Sequence, residues 1–125
     1  MINLIKTLAK SYNNLNQDGL ESVLDENIIY ESQNVLNALE GKQNVLSYLE
    51  GKFKTIHNSG NQVYAELGFL DKAKKKPCII LSQGDKENKG ALILIEAKNN
   101  LITRIDICTV VPHWKSAIQT NEYPK

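Results

Sequence analysis

The strongest constraint in this sequence is a change of apolar period at Gly60. Between positions 42 and 58, Val45, Leu46, Leu49, Phe53 and Ile56 recur at three- and four-residue steps, which predicts a long amphipathic helix with one buried face. Gly60 supplies the left-handed stop expected just past a helix end. Beyond it the helical period is gone. Residues 62–70, 78–83, 91–97 and 101–111 are β-rich runs, parted by the turn-forming stretches 71–77, 84–90 and 98–100. Connections this short favour neighbouring antiparallel strands.

Ahead of the long helix, Ile5, Leu8, Ala9, Tyr12 and Leu15 share one face of an amphipathic helix expected over residues 2–16. Asp18 followed by Glu21 reads as a capping box, so Leu20, Val23 and Leu24 are expected on a short second helix ending near Asp25. The segment 27–32, with Ile28, Ile29 and Tyr30, is strand-like, and 33–40 has no period and is expected to wrap an edge. Helices first and strands last predict an α+β domain, with helices gathered on one face of a mostly antiparallel sheet.

At 125 residues the chain fits a single domain spanning 1–125. Its 42% apolar and 23% charged content is that of an ordinary globular protein rather than a disordered one. Fifteen basic against fourteen acidic residues leave a net charge of +1, which offers no field to hold a polyanion, so nucleic acid is not expected as a partner. No run approaches the roughly 20 apolar residues of a membrane span, and the first residues lack a basic-then-apolar leader; no membrane contact and a cytoplasmic location are the expectations. Cys78 and Cys108 sit in apolar runs without a second cysteine or histidine at ligand spacing, which favours two buried free thiols over a disulfide and predicts no metal. The basic cluster Lys72, Lys74, Lys75 and Lys76 reads as a solvated hairpin tip, and His57 as a partner of the helix dipole.

Three stretches carry a likeness. The run Tyr12-Asn13-Asn14-Leu15-Asn16-Gln17-Asp18-Gly19-Leu20, then Leu24-Asp25-Glu26-Asn27-Ile28-Ile29, then Leu39-Glu40-Gly41-Lys42 resemble in order and spacing the nuclear-transport-factor-2-like superfamily, which includes ketosteroid isomerases, SnoaL-like cyclases and limonene epoxide hydrolase. The resemblance covers nearly the whole chain. It implies a cone-shaped fold, in which a curved sheet curls around the helices and leaves an apolar cavity carrying a few acid or base side chains. It also implies a small apolar molecule as ligand and no cofactor.

By the same resemblance, Glu31 falls where ketosteroid isomerases place their proton-shuttling aspartate. A carboxylate enclosed by apolar walls becomes a better base near neutrality; outside such walls Glu31 is a solvated strand-end residue. The isomerase oxyanion hole, a worked example of neutral acid donors, has no complete counterpart, since its helix position matches Ser11 or Tyr12 and its acid falls in the apolar stretch 91–94. Arg104-Ile105-Asp106-Ile107-Cys108 is similar to the W-R-D-Y-F stretch of limonene epoxide hydrolase, which puts Asp106 where that family activates water.

Strict alternation would set Ile102, Arg104, Asp106, Cys108 and Val110 on one face of the last strand, against Leu101, Thr103, Ile105, Ile107, Thr109 and Val111 on the other. Apolar count turns the second face inward. The resemblance instead turns the first face into the cavity, with Arg104 and Asp106 paired there, and leaves an apolar face for a second subunit to cover, hence an expected homodimer. Tyr12, Gln33 and Tyr48 are candidates to hydrogen bond a ligand, as is Cys108 beside Asp106. His113 and Trp114, at the end of the last strand, could lid the cavity or simply pack. Two functions follow: cofactor-free acid/base chemistry (isomerase, lyase or hydrolase) through Glu31 and Asp106, or a noncatalytic ligand-binding or dimerisation module using the same cavity.

Overall fold

The computed structural model describes residues 1–35 and 37–125; Leu36, within the stretch 33–40, lies outside the described residues. Helix α1 covers Ile2–Asn14 and buries Ile5, Leu8, Ala9 and Tyr12 of the predicted stripe, with Leu4 in addition; Leu15 falls just past its end. It ends earlier than residue 16 because Leu15 turns left-handed, at φ 49°, and donates its N–H to the Tyr12 carbonyl. The expected second helix is a single 3-10 turn, Asp18–Leu20, and Asp18 does not cap it with its side chain. Instead the Asp18 N–H is taken by Asn16 Oδ1 at 2.9 Å. Leu24 pairs with Ile102 and opens strand β1, Leu24–Ser32, so tertiary pairing overrides the local helical signal there.

Strand β2, Leu39–Glu40, forms one edge of the sheet beside β1, in keeping with the edge role expected for this stretch. Helix α2 spans Lys42–Asn58, burying Val45, Leu49, Phe53 and Ile56, and Gly60 follows at φ 77°. Strands β3 (Val63–Phe69), β4 (Pro77–Gln83), β5 (Lys89–Lys98) and β6 (Leu101–Cys108) then pair antiparallel in sequence, as short connections dictate. A short β7, Ile118–Gln119, adds to β3 at the other edge. The full order is β2-β1-β6-β5-β4-β3-β7, and the β1–β6 pair is parallel. The β3–β4 tip carries Lys74, Lys75 and Lys76 in solvent, with Asp71 accepting the N–H groups of Lys75 and Lys76.

Register shifts fall between Leu24 and Ile29, between Leu81 and Ser82, and between Glu96 and Ala97. Such bulges bend and twist a strand, and here they accompany the curl of the sheet around the helices. The last has a second effect. Ala97 pairs with Ile102 and Glu96 with Arg104, so Thr103 is the extra residue and the alternation slips by one. Ile102, Ile105 and Ile107 consequently all join the core beneath the helices, while Arg104, Asp106 and Cys108 face the other way. This corrects the strict alternation that grouped Ile102 with Arg104 and Asp106.

The sheet therefore has two apolar faces. The inner one meets both helices and holds the main core, where each fully buried Leu or Ile stabilises by about 1.5–3 kcal/mol relative to exposure. The outer one buries Cys78, Ile80, Leu92 and Cys108 beneath Trp114 and Ala117 of the C-terminal segment. Both cysteines are free and buried.

Candidate functional site

Curling the sheet around α2 leaves a cavity of about 280 Å³ on the inner face. Ile56, Val63, Leu81, Ala91 and Ile107 give it apolar walls, and Tyr12, Ser32, Asn34, Lys52, Ser82 and Thr109 are among its polar groups. Tyr12 stands on the buried stripe of α1, edge-on to Phe53 at 5.2 Å between ring centroids. It is 1% exposed, and its hydroxyl is enclosed against that of Tyr30. The Tyr30 hydroxyl in turn approaches half-buried Tyr48, with 5.3 Å between the two ring centroids. Burial pushes both the Tyr12 and the Tyr30 hydroxyl well above the ordinary phenol range, so both stay neutral and able to donate.

Among the described residues Lys52 is the one cation that lines this cavity, and no carboxylate lines it. Burial pulls its ammonium below the usual lysine range. Among the described residues it has no hydrogen bond and no ion pair, unlike Lys42, which meets Glu21 and Glu26 at 3.4 and 3.7 Å. Sequence reasoning passed over Lys52, yet a signal was there: it lies three residues after Leu49 and four before Ile56, so it is a charge on the apolar stripe of α2.

The sequence-predicted acids lie elsewhere. Glu31 and Asp106 are paired across β1 and β6 and converge on Arg104, whose Nη2 donates to Glu31 and whose Nε lies 3.1 Å from Asp106 Oδ2. Glu96 approaches the same guanidinium at 3.7 Å. These residues occupy the outer face, away from the cone. The resemblance-based expectation that Arg104 and Asp106 line the cone is thus corrected in favour of the apolar count, because the apolar Ile105 and Ile107 of the opposite face are buried against the helices. The Arg104, Glu31 and Asp106 side chains are 28%, 50% and 31% exposed, so the network is one of solvated ion pairs. Donating hydrogen bonds to Glu31 and Asp106 raises the Arg104 pKa further. Beside the network is an open groove of about 260 Å³, reached also by Gln33, Leu94 and Cys108. Burial raises the Cys108 thiol, helped by Asp106, which keeps it protonated rather than nucleophilic.

The remaining candidates are taken up by the fold. The Gln33 amide accepts the N–H groups of Thr109 and Val110 at 2.7 and 2.6 Å and donates to the Val111 carbonyl at 2.6 Å. That clamp replaces ladder pairing past Cys108, where β6 ends short of the expected residue 111. His113 Nδ1 accepts the Lys115 N–H, capping the 3-10 turn that carries Trp114. Trp114 packs on the outer cluster, so neither ring lids the cone. His57 is in the last turn of α2 and exposed. Among the described residues no group of three or more His, Cys, Asp or Glu side chains could hold a metal ion, and no helix is long and apolar enough to cross a membrane.

No protein-family profile matches the sequence, and no curated protein does. Solved structures do match. A nuclear-transport-factor-2-like protein of unknown function from Mesorhizobium loti aligns over 96% of this chain and 90% of its own, with a TM-score of 0.65 at 10% identity. The chain has the nuclear-transport-factor-2-like fold. An LEH-like epoxide hydrolase from M. tuberculosis shares that fold over 92% of this chain and 86% of its own, at TM-score 0.59 and 12% identity. A de novo designed protein with a curved β-sheet shares it equally well, over 88% and 87% of the two chains, at TM-score 0.64 and 15% identity. The nuclear-transport-factor-2-like backbone is therefore compatible with hydrolase, unassigned and designed sequences alike, and function has to be argued from side chains.

Proposed function

We propose that this chain is a small-molecule-binding domain of the cytoplasm whose ligand, a small and largely apolar molecule, sits in the cone between α2 and the inner face of the sheet. The observation that carries this reading is the cavity itself, whose apolar walls of Ile56, Val63, Leu81, Ala91 and Ile107 are set with a few polar groups, Lys52, Ser32, Asn34 and Thr109 among them. The cavity is just under the range of about 300–1,000 Å³ typical of sites for drug-sized ligands, so a compact ligand is the better fit. The test is thermal stabilisation across a library of small carbonyl compounds and epoxides. Wild-type protein should be stabilised by a subset, and Thr109→Phe, which crowds the cavity rim, should lose that response while Asp106→Asn keeps it. A response that survives Thr109→Phe and vanishes with Asp106→Asn would move the site to the outer groove.

A second reading keeps Glu31 and Asp106 as the acid/base pair of an isomerase, lyase or hydrolase working in that groove. It is favoured by their convergence on one guanidinium, and weakened because Arg104 already engages both carboxylates. Product formation that Glu31→Gln and Asp106→Asn abolish would support it. A homodimer belongs to the proposal only just past the end of β6, where Val110 and Val111 are 67% and 71% exposed; the apolar side of β6 is covered by the chain's own helices.

A further inference from the structure

We propose that the cone selects molecules bearing an anionic oxygen, of the carboxylate class, over their neutral isosteres, with Lys52 as counter-charge. This rests on the reading that the cone holds a ligand, and it names the ligand's chemistry. Three observations lead to it. The lining contains an ammonium and no carboxylate, so the cavity has one sign of charge. Lys52 is half-buried on the apolar stripe of α2 and, among the described residues, nothing neutralises it, although Lys6, Lys42 and Lys54 all have carboxylate partners. The polar groups nearest to it in kind, Ser32, Asn34 and Thr109, are neutral and supply hydrogen bonds without charge.

A half-desolvated cation gains from an anion brought to it, because the pair forms where water screens it least. A neutral amide of the same length leaves that cation as it was. Arg104 is a further cation beside a concave surface, the outer groove, but Glu31 and Asp106 already satisfy it, so an anion gains little there. The cone and the groove thus differ in what charge they lack.

Isothermal titration with octanoate and with octanamide tests this on four proteins: wild type, Lys52→Met, Lys52→Arg and Arg104→Met. Octanoate should bind wild type about tenfold more tightly than octanamide, the effect expected of one charge-assisted contact. Lys52→Met should remove that preference, Lys52→Arg should keep most of it, and Arg104→Met should leave it unchanged. Equal binding of both probes, insensitive to Lys52→Met, overturns the charge selection and leaves the ligand-binding reading standing. A preference that follows Arg104 instead overturns it in favour of the groove. If neither probe binds, and the small-molecule library gives no stabilisation that Thr109→Phe removes, the ligand-binding reading fails and this inference falls with it.

Discussion

Asn13 lies on the buried side of α1, next to Tyr12, and its amide closes three contacts at once. Nδ2 donates to the Ala65 carbonyl at 2.9 Å and to the Pro124 carbonyl at 2.7 Å, and Oδ1 accepts the Ala65 N–H at 2.7 Å. One side chain thereby joins the helix, the middle of β3 and the C-terminal tail. Removing it strands buried backbone groups, each of which costs about 1–3 kcal/mol when unpaired. Asn13→Ala should lower unfolding free energy by roughly 2–4 kcal/mol, read from urea denaturation, and should free the tail to proteolysis. A loss below about 0.5 kcal/mol, the level of an ordinary surface change, would show that the tail contacts carry little. Sequence gives no sign of this role, since the partners are 52 and 111 residues away. Tyr12, by contrast, was legible as a core-side residue with a polar tip, because its own helix period reveals its face.

At the level of elements, what was readable tracks how local the determinants are. Helix α2 could be read residue for residue, as Lys42–Asn58, because its stripe and its glycine stop lie within the segment. For β6 the apolar count rightly turned Ile105 and Ile107 inward, while the placing of Ile102 beside them could not be read, because it depends on the Thr103 bulge, a consequence of pairing with β5. With that face inward, Arg104 and Asp106 lie outside the cone together with Glu31 of β1, and the candidate site passes to Lys52. A similar long-range constraint governs the β7 edge. A Cβ at Gly68 would lie 3.2 Å from the Ile118 carbonyl, 3.1 Å from Ile80 Cδ1 and 3.3 Å from Cys78 Sγ. The side chains can yield by a few tenths of an ångström, but the β7 backbone pairs there and has to move. Gly68→Ala should therefore cost about 1–3 kcal/mol, as overpacking does, and should raise amide exchange at Phe69 and Gln119 above that of β4. Unchanged exchange on β7 would mean that Ile80 and Cys78 absorb the strain.

For the whole molecule, the two apolar faces of one sheet predict how stability depends on pH. The inner face holds Tyr12 and Tyr30 neutral, and burial on the outer face pushes the Cys78 thiol up to about 12 from an ordinary 9.0. In the unfolded chain all three ionise at their ordinary values. Between those values and the folded ones the unfolded state binds fewer protons, so stability is complete below about pH 9 and falls as pH rises. Lys52 acts in the opposite sense, since its lowered value means that the unfolded chain binds the extra proton up to its ordinary 10.5. Cys108 and Tyr123, raised as well, add to the three groups that oppose Lys52, and the net slope is downward. Each buried group contributes at most about 1.4 kcal/mol per pH unit. The urea midpoint should therefore drop between pH 8 and pH 11. Cys78→Ala should flatten the curve from near pH 9, and Tyr30→Phe from near pH 10, the ordinary tyrosine value. Because the two residues pack in separate clusters on opposite faces, their effects on the slope should add within about 0.5 kcal/mol. Strong non-additivity would mean that the faces do not melt independently of one another's charge. A curve that stays flat to pH 11 in wild type would mean that these side chains reach solvent in the native ensemble and that the burial argued for both faces is wrong.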